Sequence, residues 1–143
     1  MHKLTFPESK KYYDEIDDFA YDVIYKKELG PKTPKKLMSK WRDGYNILTV
    51  RLEETDLLIA MGMLQKPKRN LDTLQIEHVC VDPEFQHHKL GSLVVSTLIE
   101  NAKECGASKV RLRSLQESVE FYKHCGFTEY DKTLHLMHRK IQL

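Results

Sequence analysis

Between Glu77 and Ser92 the chain reads Glu-His-Val-Cys-Val-Asp-Pro-Glu-Phe-Gln-His-His-Lys-Leu-Gly-Ser. This is a strand-like run, a proline-containing turn, a short polar loop and the opening of an amphipathic helix. From Leu90 the apolar residues Leu90, Leu93, Val94, Leu98 and Ala102 recur at helical spacing, so one face of that helix is buried. A loop that delivers a strand onto a helix N-terminus leaves several backbone N–H groups unpaired at the positive end of the helix dipole. Donors placed so are suited to phosphate. The plainer reading is an ordinary strand-to-helix loop of an α/β domain. Glu77 is the second feature, because a carboxylate on an otherwise apolar strand is costly unless it is paired or useful. It is either a general base, acting directly or through water, or half of a salt bridge to a lysine or arginine. Two residues from Val79, it should share that residue's face in a regular strand. His78 has the better pKa for proton abstraction but should point to the opposite face, and a strand bulge would exchange the two.

The run Val-Asp-Pro-Glu-Phe-Gln-x-x-x-Leu-Gly-Ser resembles the acetyl-CoA pyrophosphate loop of the GNAT N-acetyltransferase superfamily, written Gln/Arg-x-x-Gly-x-Gly/Ala. Gln86 takes the Gln/Arg place and Gly91 that of the second glycine, while Lys89 stands where the first glycine is usual. Glycine there admits positive φ and lets phosphate approach closely. The lysine leaves the tightness of the cradle open and adds a positive charge near the phosphates. A second stretch, Ser118-Val119-Glu120-Phe121-Tyr122-Lys123-His124-Cys125-Gly126-Phe127, resembles the superfamily's Ala-x-x-Phe-Tyr-x-x-x-Gly-Phe signature, with Ser118 off-pattern. The tail from Thr133 to Arg139 is similar to the closing strand of small stand-alone bacterial members.

The resemblance implies acetyl-CoA as co-substrate, without a metal, and a primary amine of a small molecule or protein as acceptor. Val79 and Val81 would offer backbone groups to the pantetheine arm, and Gln86, His87, His88, Lys89, Leu90, Gly91 and Ser92 would hold the pyrophosphate. Ser118 and Tyr122 would complete the cofactor side. Acetyl transfer needs a neutral amine, donors for the tetrahedral oxyanion and a proton for the departing thiolate. Tyr122 suits the last task, since a phenol can donate to sulfur; the alternative is that it only packs, like Phe121. Glu77 is the candidate base. A second functional reading keeps the fold and drops the chemistry, leaving an acyl-CoA-binding or protein-interaction module.

The elements that must position these groups follow from pattern. His2 to Phe6 is a short strand, and a helix then carries Tyr12, Tyr13, Ile16, Phe19, Ala20, Val23 and Ile24 on one face until Gly30-Pro31 stops it. A second helix runs from Pro34 to Asp43-Gly44. Strands over Asn46–Leu52 and Leu57–Leu64 flank a turn at residues 53–56, and Thr73–Val81 is a third. After the helix from Leu90 to Gly106 come a strand at Lys109–Arg113, a short helix at Gln116–Cys125 and a strand pair reaching Ile141. The expectation is a single domain over residues 1–143, an α+β chain with a mixed, mostly antiparallel sheet flanked by helices. The resemblance implies the same GNAT acyltransferase fold, in which pairing of sheet edges or C-terminal strands into a homodimer would be unsurprising.

Composition narrows the classes. With 143 residues and a formal charge of +2, the chain can bury a core without metals, and it has no basic footprint for nucleic acid. No apolar run approaches a membrane span, and no secretory segment opens the chain. Three cysteines, an odd number, fit a reduced, cytoplasmic protein with buried thiols. The histidines and cysteines form neither Cys-x-x-Cys nor His-Glu-x-x-His, which argues against a metal centre. Glycine patterns of nucleotide hydrolases and dehydrogenases are absent from the sequence.

Overall fold

The computed structural model describes residues 2–5, 15, 19, 44–69 and 71–141. The two expected N-terminal helices lie outside these residues, apart from Glu15 and Phe19, both helical. Among the described residues the elements are β1 (His2–Thr5), β2 (Tyr45–Leu52), β3 (Leu58–Gln65), β4 (Thr73–Val81), α1 (Leu90–Glu104), β5 (Lys109–Arg113), α2 (Val119–His124), β6 (Thr128–Asp131) and β7 (Leu136–Lys140). A 3-10 turn, Pro83–His88, joins β4 to α1, and a second, Gln116–Ser118, leads into α2.

The strands form one seven-stranded sheet in the order β1-β2-β3-β4-β5-β7-β6. All pairs are antiparallel except β4 with β5. Strand β3 is buried at every position but its last, as a central strand with both faces covered must be. Its neighbours alternate. In β2, Leu48 and Val50 join the main core, whereas Ile47, Thr49 and Arg51 are buried on the other face. There the Arg51 guanidinium pairs with Glu15 and donates to the carbonyl of Asp56 at 2.9 Å.

Helix α1 packs Leu90, Val94, Val95, Leu98, Ile99 and Ala102 onto the first face. Gly62 makes this close approach feasible: a Cβ there would lie 2.6 Å from Val94 Cγ1 and 2.9 Å from Leu98 Cδ1. No helix among the described residues is long and apolar enough to cross a membrane. The expectation of buried thiols holds for Cys80, while Cys125 is half-buried and Cys105, at the C-terminal end of α1, is exposed.

Candidate active site

Two irregularities in β4 build the site. The first is on the β5 side. Pairing runs through Thr73–Lys109, Leu74–Val110 and Gln75–Arg111 and then stops, although β4 continues to Val81. Beyond Arg111, strand β5 stays with β7 through Leu112–Met137 and Arg113–Leu136. The two parallel strands therefore part, and the edge of β4 toward the gap offers backbone groups to an extended ligand.

The second irregularity is a bulge on the β3 side. Met61 pairs with Cys80 but Met63 pairs with Glu77, so β4 carries one extra residue. His78 takes up the slack at φ 53, in the left-handed region, and its Nδ1 is enclosed. The bulge corrects the expected placement of Glu77. Leu74 and Ile76 belong to the core under α1, and after the bulge so do Val79 and Val81, with Val79 Cγ2 3.4 Å from the position of a Gly62 Cβ. Glu77 thus lies on the opposite face from Val79, where Gln75 Nε2 donates to its Oε1 at 2.5 Å.

At the end of β4 the backbone stays anchored, since the amide of Asp82 donates to Ile59 O at 2.8 Å. The Asp82 carboxylate accepts from the amide of Glu84 at 2.9 Å, and Pro83 begins the turn, the position proline suits. Gln86 folds back, its Nε2 donating to Val81 O at 3.3 Å. His87 and His88 complete the turn.

Lys89 follows at φ 59, ψ 22, the left-handed conformation glycine would supply at that place. The backbone turn is therefore kept without glycine, at a cost of about 1–2 kcal/mol. The first intrahelical bond is Leu93 N to Lys89 O, 3.2 Å, and no side chain caps the helix start. The amides of Leu90, Gly91 and Ser92 thus precede the helical ladder at the positive end of its dipole. The Leu90 side chain itself is buried in the core.

The second stretch packs beneath the first. A Cβ on Gly91 would lie 3.0 Å from Phe121 Cζ, so this glycine lets α2 and α1 close on each other. Burial raises the pKa of the Cys125 thiol, with Ser92 and Arg139 opposing the rise. Ser118 sits at the N-terminal end of α2 without a capping side-chain bond. Tyr122 is buried between Phe121 and Phe127, with edge-to-face ring centroids at 5.0 and 5.7 Å. Burial holds its phenol well above the usual pKa, with Cys80, Cys125 and Glu77 adding to the effect. Glu77 also acts on Tyr45, whose phenol is pushed up to about 12, first by burial and then by Glu77, with Arg111 opposing.

Sequence reasoning missed this surround of Glu77, made of Tyr45, Gln75 and Arg111. The alternation of Lys109–Arg113 held the available signal, since burying Val110 and Leu112 turns the three basic residues to the Glu77 face. Among the described residues no group of three or more His, Cys, Asp or Glu side chains is placed to hold a metal ion.

A mixed sheet that parts between two parallel strands beneath an uncapped helix start is the architecture of acyl-CoA N-acyltransferases. The chain belongs to the acetyltransferase (GNAT) family, whose model matches residues 10–127. It is 27% identical over 130 residues to an uncharacterized N-acetyltransferase of Methanocaldococcus jannaschii, covering 81% of this chain and 58% of the relative. It is 31% identical over 90 residues to the glucosamine 6-phosphate N-acetyltransferase of Arabidopsis thaliana, 60% of each chain. The matches thus span about 60% of the length of these curated relatives. A GNAT-family acetyltransferase structure from Staphylococcus aureus superposes with a TM-score of 0.79 at 13% identity, covering 99% of this chain and all of that one, a likeness of fold.

Proposed function

We propose that the chain is an acetyl-CoA-dependent N-acetyltransferase that moves the acetyl group directly to a primary amine. One observation carries the reading: β4 and β5 stop pairing after Gln75–Arg111, so the backbone of β4 beyond that point borders a gap, with Glu77 on the face opposite the α1 core that contains Tyr122. Each reactant then has its own side of the sheet, and they meet in the gap.

Acetyl-CoA fits the first side. The amides of Leu90, Gly91 and Ser92, with Lys89 beside them, suit its pyrophosphate, and the edge of β4 from Val79 to Val81, unpaired with β5, suits the pantetheine arm. When bound, the co-substrate supplies the acetyl thioester. Ser118 and Tyr122 line that side from α2.

Glu77 accepts the proton that the amine loses, directly or through water, so that the nitrogen lone pair attacks the thioester carbon. The C–N bond forms to give a tetrahedral oxyanion, its collapse breaks the C–S bond, and the acetylated amine and free thiol are the products. Tyr122 donates a hydrogen bond to the departing sulfur. A thiol is ordinarily a stronger acid than a phenol. Tyr122 is therefore a donor to the developing thiolate, and the proton that ends on sulfur is balanced by the one lost from nitrogen.

The relatives that are glucosamine 6-phosphate N-acetyltransferases make that amino sugar the first acceptor to assay. The test is thiol release from acetyl-CoA across an amine panel, with Tyr122→Phe and Glu77→Gln alongside. Turnover by the native chain, lowered about 100-fold in kcat by either change, supports the reading. Turnover unaffected by both changes contradicts the assigned roles, and binding of acetyl-CoA with no turnover favours a silent acyl-CoA-binding module.

A further inference from the structure

We propose that the acceptor amine carries an anionic group, a phosphate or a carboxylate, and that this group docks on Arg111 beside Glu77. This rests on the acetyl-transfer reading above and names its substrate class.

The observation is a basic sheet face that begins at the candidate base. Because Val110 and Leu112 enter the core, Lys109, Arg111 and Arg113 project from the opposite face, which is also the face of Gln75 and Glu77. Met137 of β7 enters the same core, so His138 and Lys140, the cross-strand partners of Arg111 and Lys109, join them. Arg111, Arg113 and Lys140 are exposed. Among the described residues, none of these lysines and arginines is ion-paired with a carboxylate. The carboxylate of Asp131, at the far end of the face, accepts from the amide of Leu134 at 3.0 Å.

A row of unpaired cations is often only solvated surface. Here its position is specific. Arg111 is the registered neighbour of Gln75, whose amide holds Glu77, and Tyr45 senses both Arg111 and Glu77. Gln75 and Glu77 lie two residues apart, roughly 7 Å along the strand. Arg111 lies one strand over, about 5 Å across, so the backbone positions of Glu77 and Arg111 are about 8 Å apart, the span of a short bifunctional molecule. The guanidinium is planar and forked, which matches phosphate and carboxylate oxygens in pairs. The same positive field disfavours an ammonium, so it eases loss of the amine proton and repels acceptors that carry only positive charge.

The test compares matched amines at saturating acetyl-CoA. The pairs are glucosamine with glucosamine 6-phosphate, ethanolamine with O-phosphoethanolamine, and butylamine with 4-aminobutyrate; spermidine is the purely cationic probe. The expected result is a kcat/KM at least about tenfold higher for the anionic member of a pair. Arg111→Gln then removes that advantage, mainly through KM, while acetyl-CoA affinity stays that of the native chain. The phosphate and carboxylate arms show which anion is favoured.

Equal or better turnover of spermidine or the neutral amines overturns the inference and leaves acetyl transfer standing. So does an Arg111→Gln loss that is the same for neutral and anionic members. If acetyl-CoA binds but no amine in the panel reacts, inorganic phosphate is titrated against the acetyl-CoA-loaded protein. A saturable shift of the Arg111 Nε–Hε NMR signal supports the anion site, and an unmoved signal overturns it. Absence of acetyl-CoA binding is the separate failure of the underlying reading, and it takes this inference with it.

Discussion

Replacing Lys89 isolates the backbone from the charge of the loop. At φ 59 the lysine holds a conformation that costs an L-residue about 1–2 kcal/mol. Lys89→Ala keeps that cost and deletes the charge; Lys89→Gly deletes both. Glycine's freer unfolded chain takes back about 0.4–1 kcal/mol. The difference leaves Lys89→Gly more stable than Lys89→Ala by about 0.7 kcal/mol, or roughly 2–3 °C in Tm for a chain of this size. Far-UV circular dichroism of thermal and urea unfolding reads the difference directly. Acetyl-CoA titration of the same pair reads the other half: both variants lose the same charge, so both bind a few-fold more weakly, and the deficit shrinks as salt rises. A Lys89→Gly variant less stable than Lys89→Ala by about half a kcal/mol or more would rule out a left-handed residue at this place, because that sign belongs to a residue with negative φ.

Two further expectations concern the frame around the site. Gly62→Ala places a methyl group 2.6 Å from Val94 Cγ1 in a fully buried contact, and should lose about 1–3 kcal/mol in urea unfolding. Adding Val94→Ala should recover part of that loss, and additive losses would contradict the packing described. The pH dependence has a definite sign. The phenol of Tyr45 is raised to about 12 in the folded chain, so its contribution to stability is complete below the unfolded value near 10 and fades as pH climbs toward 12. The raised phenol of Tyr122 and the raised thiol of Cys80 act in the same direction. The urea midpoint should therefore begin to fall near pH 9, the ordinary value of the Cys80 thiol, and fall more steeply above about pH 10, where Tyr45→Phe should flatten it. A midpoint that rises there would reverse the assignment.

Much of the frame is legible because burial imposes a period. Lys109–Arg113 alternates between core and surface, so both its bounds and its faces follow from residue type. Thr73–Val81 is readable as far as its length, and α1 from its apolar stripe. What stays hidden depends on pairing. Nothing in the type of His78 marks a residue with positive φ, and the extra residue it represents is visible only in the register against β3. A regular alternation therefore puts Glu77 with Val79, and the bulge separates them. The parting of β4 from β5 is equally a matter of register. Lys89 conceals its turn for another reason: the left-handed conformation is usually announced by glycine, and here a lysine adopts it. The environment of Glu77 was missed because Tyr45 and Arg111 come from β2 and β5, far apart in the chain.

On the proposed reading, the loop from Gln86 to Ser92 and the edge of β4 unpaired with β5 hold acetyl-CoA with its thioester at Tyr122. Isothermal titration of acetyl-CoA into the native chain and into Tyr122→Phe tests it most directly. One saturable site is expected in both proteins with similar affinity, since the phenol serves the departing sulfur rather than the phosphates, and weakened thiol release in the variant alone. No binding to either protein would contradict it, and would mark the loop as a strand-to-helix connection without a ligand.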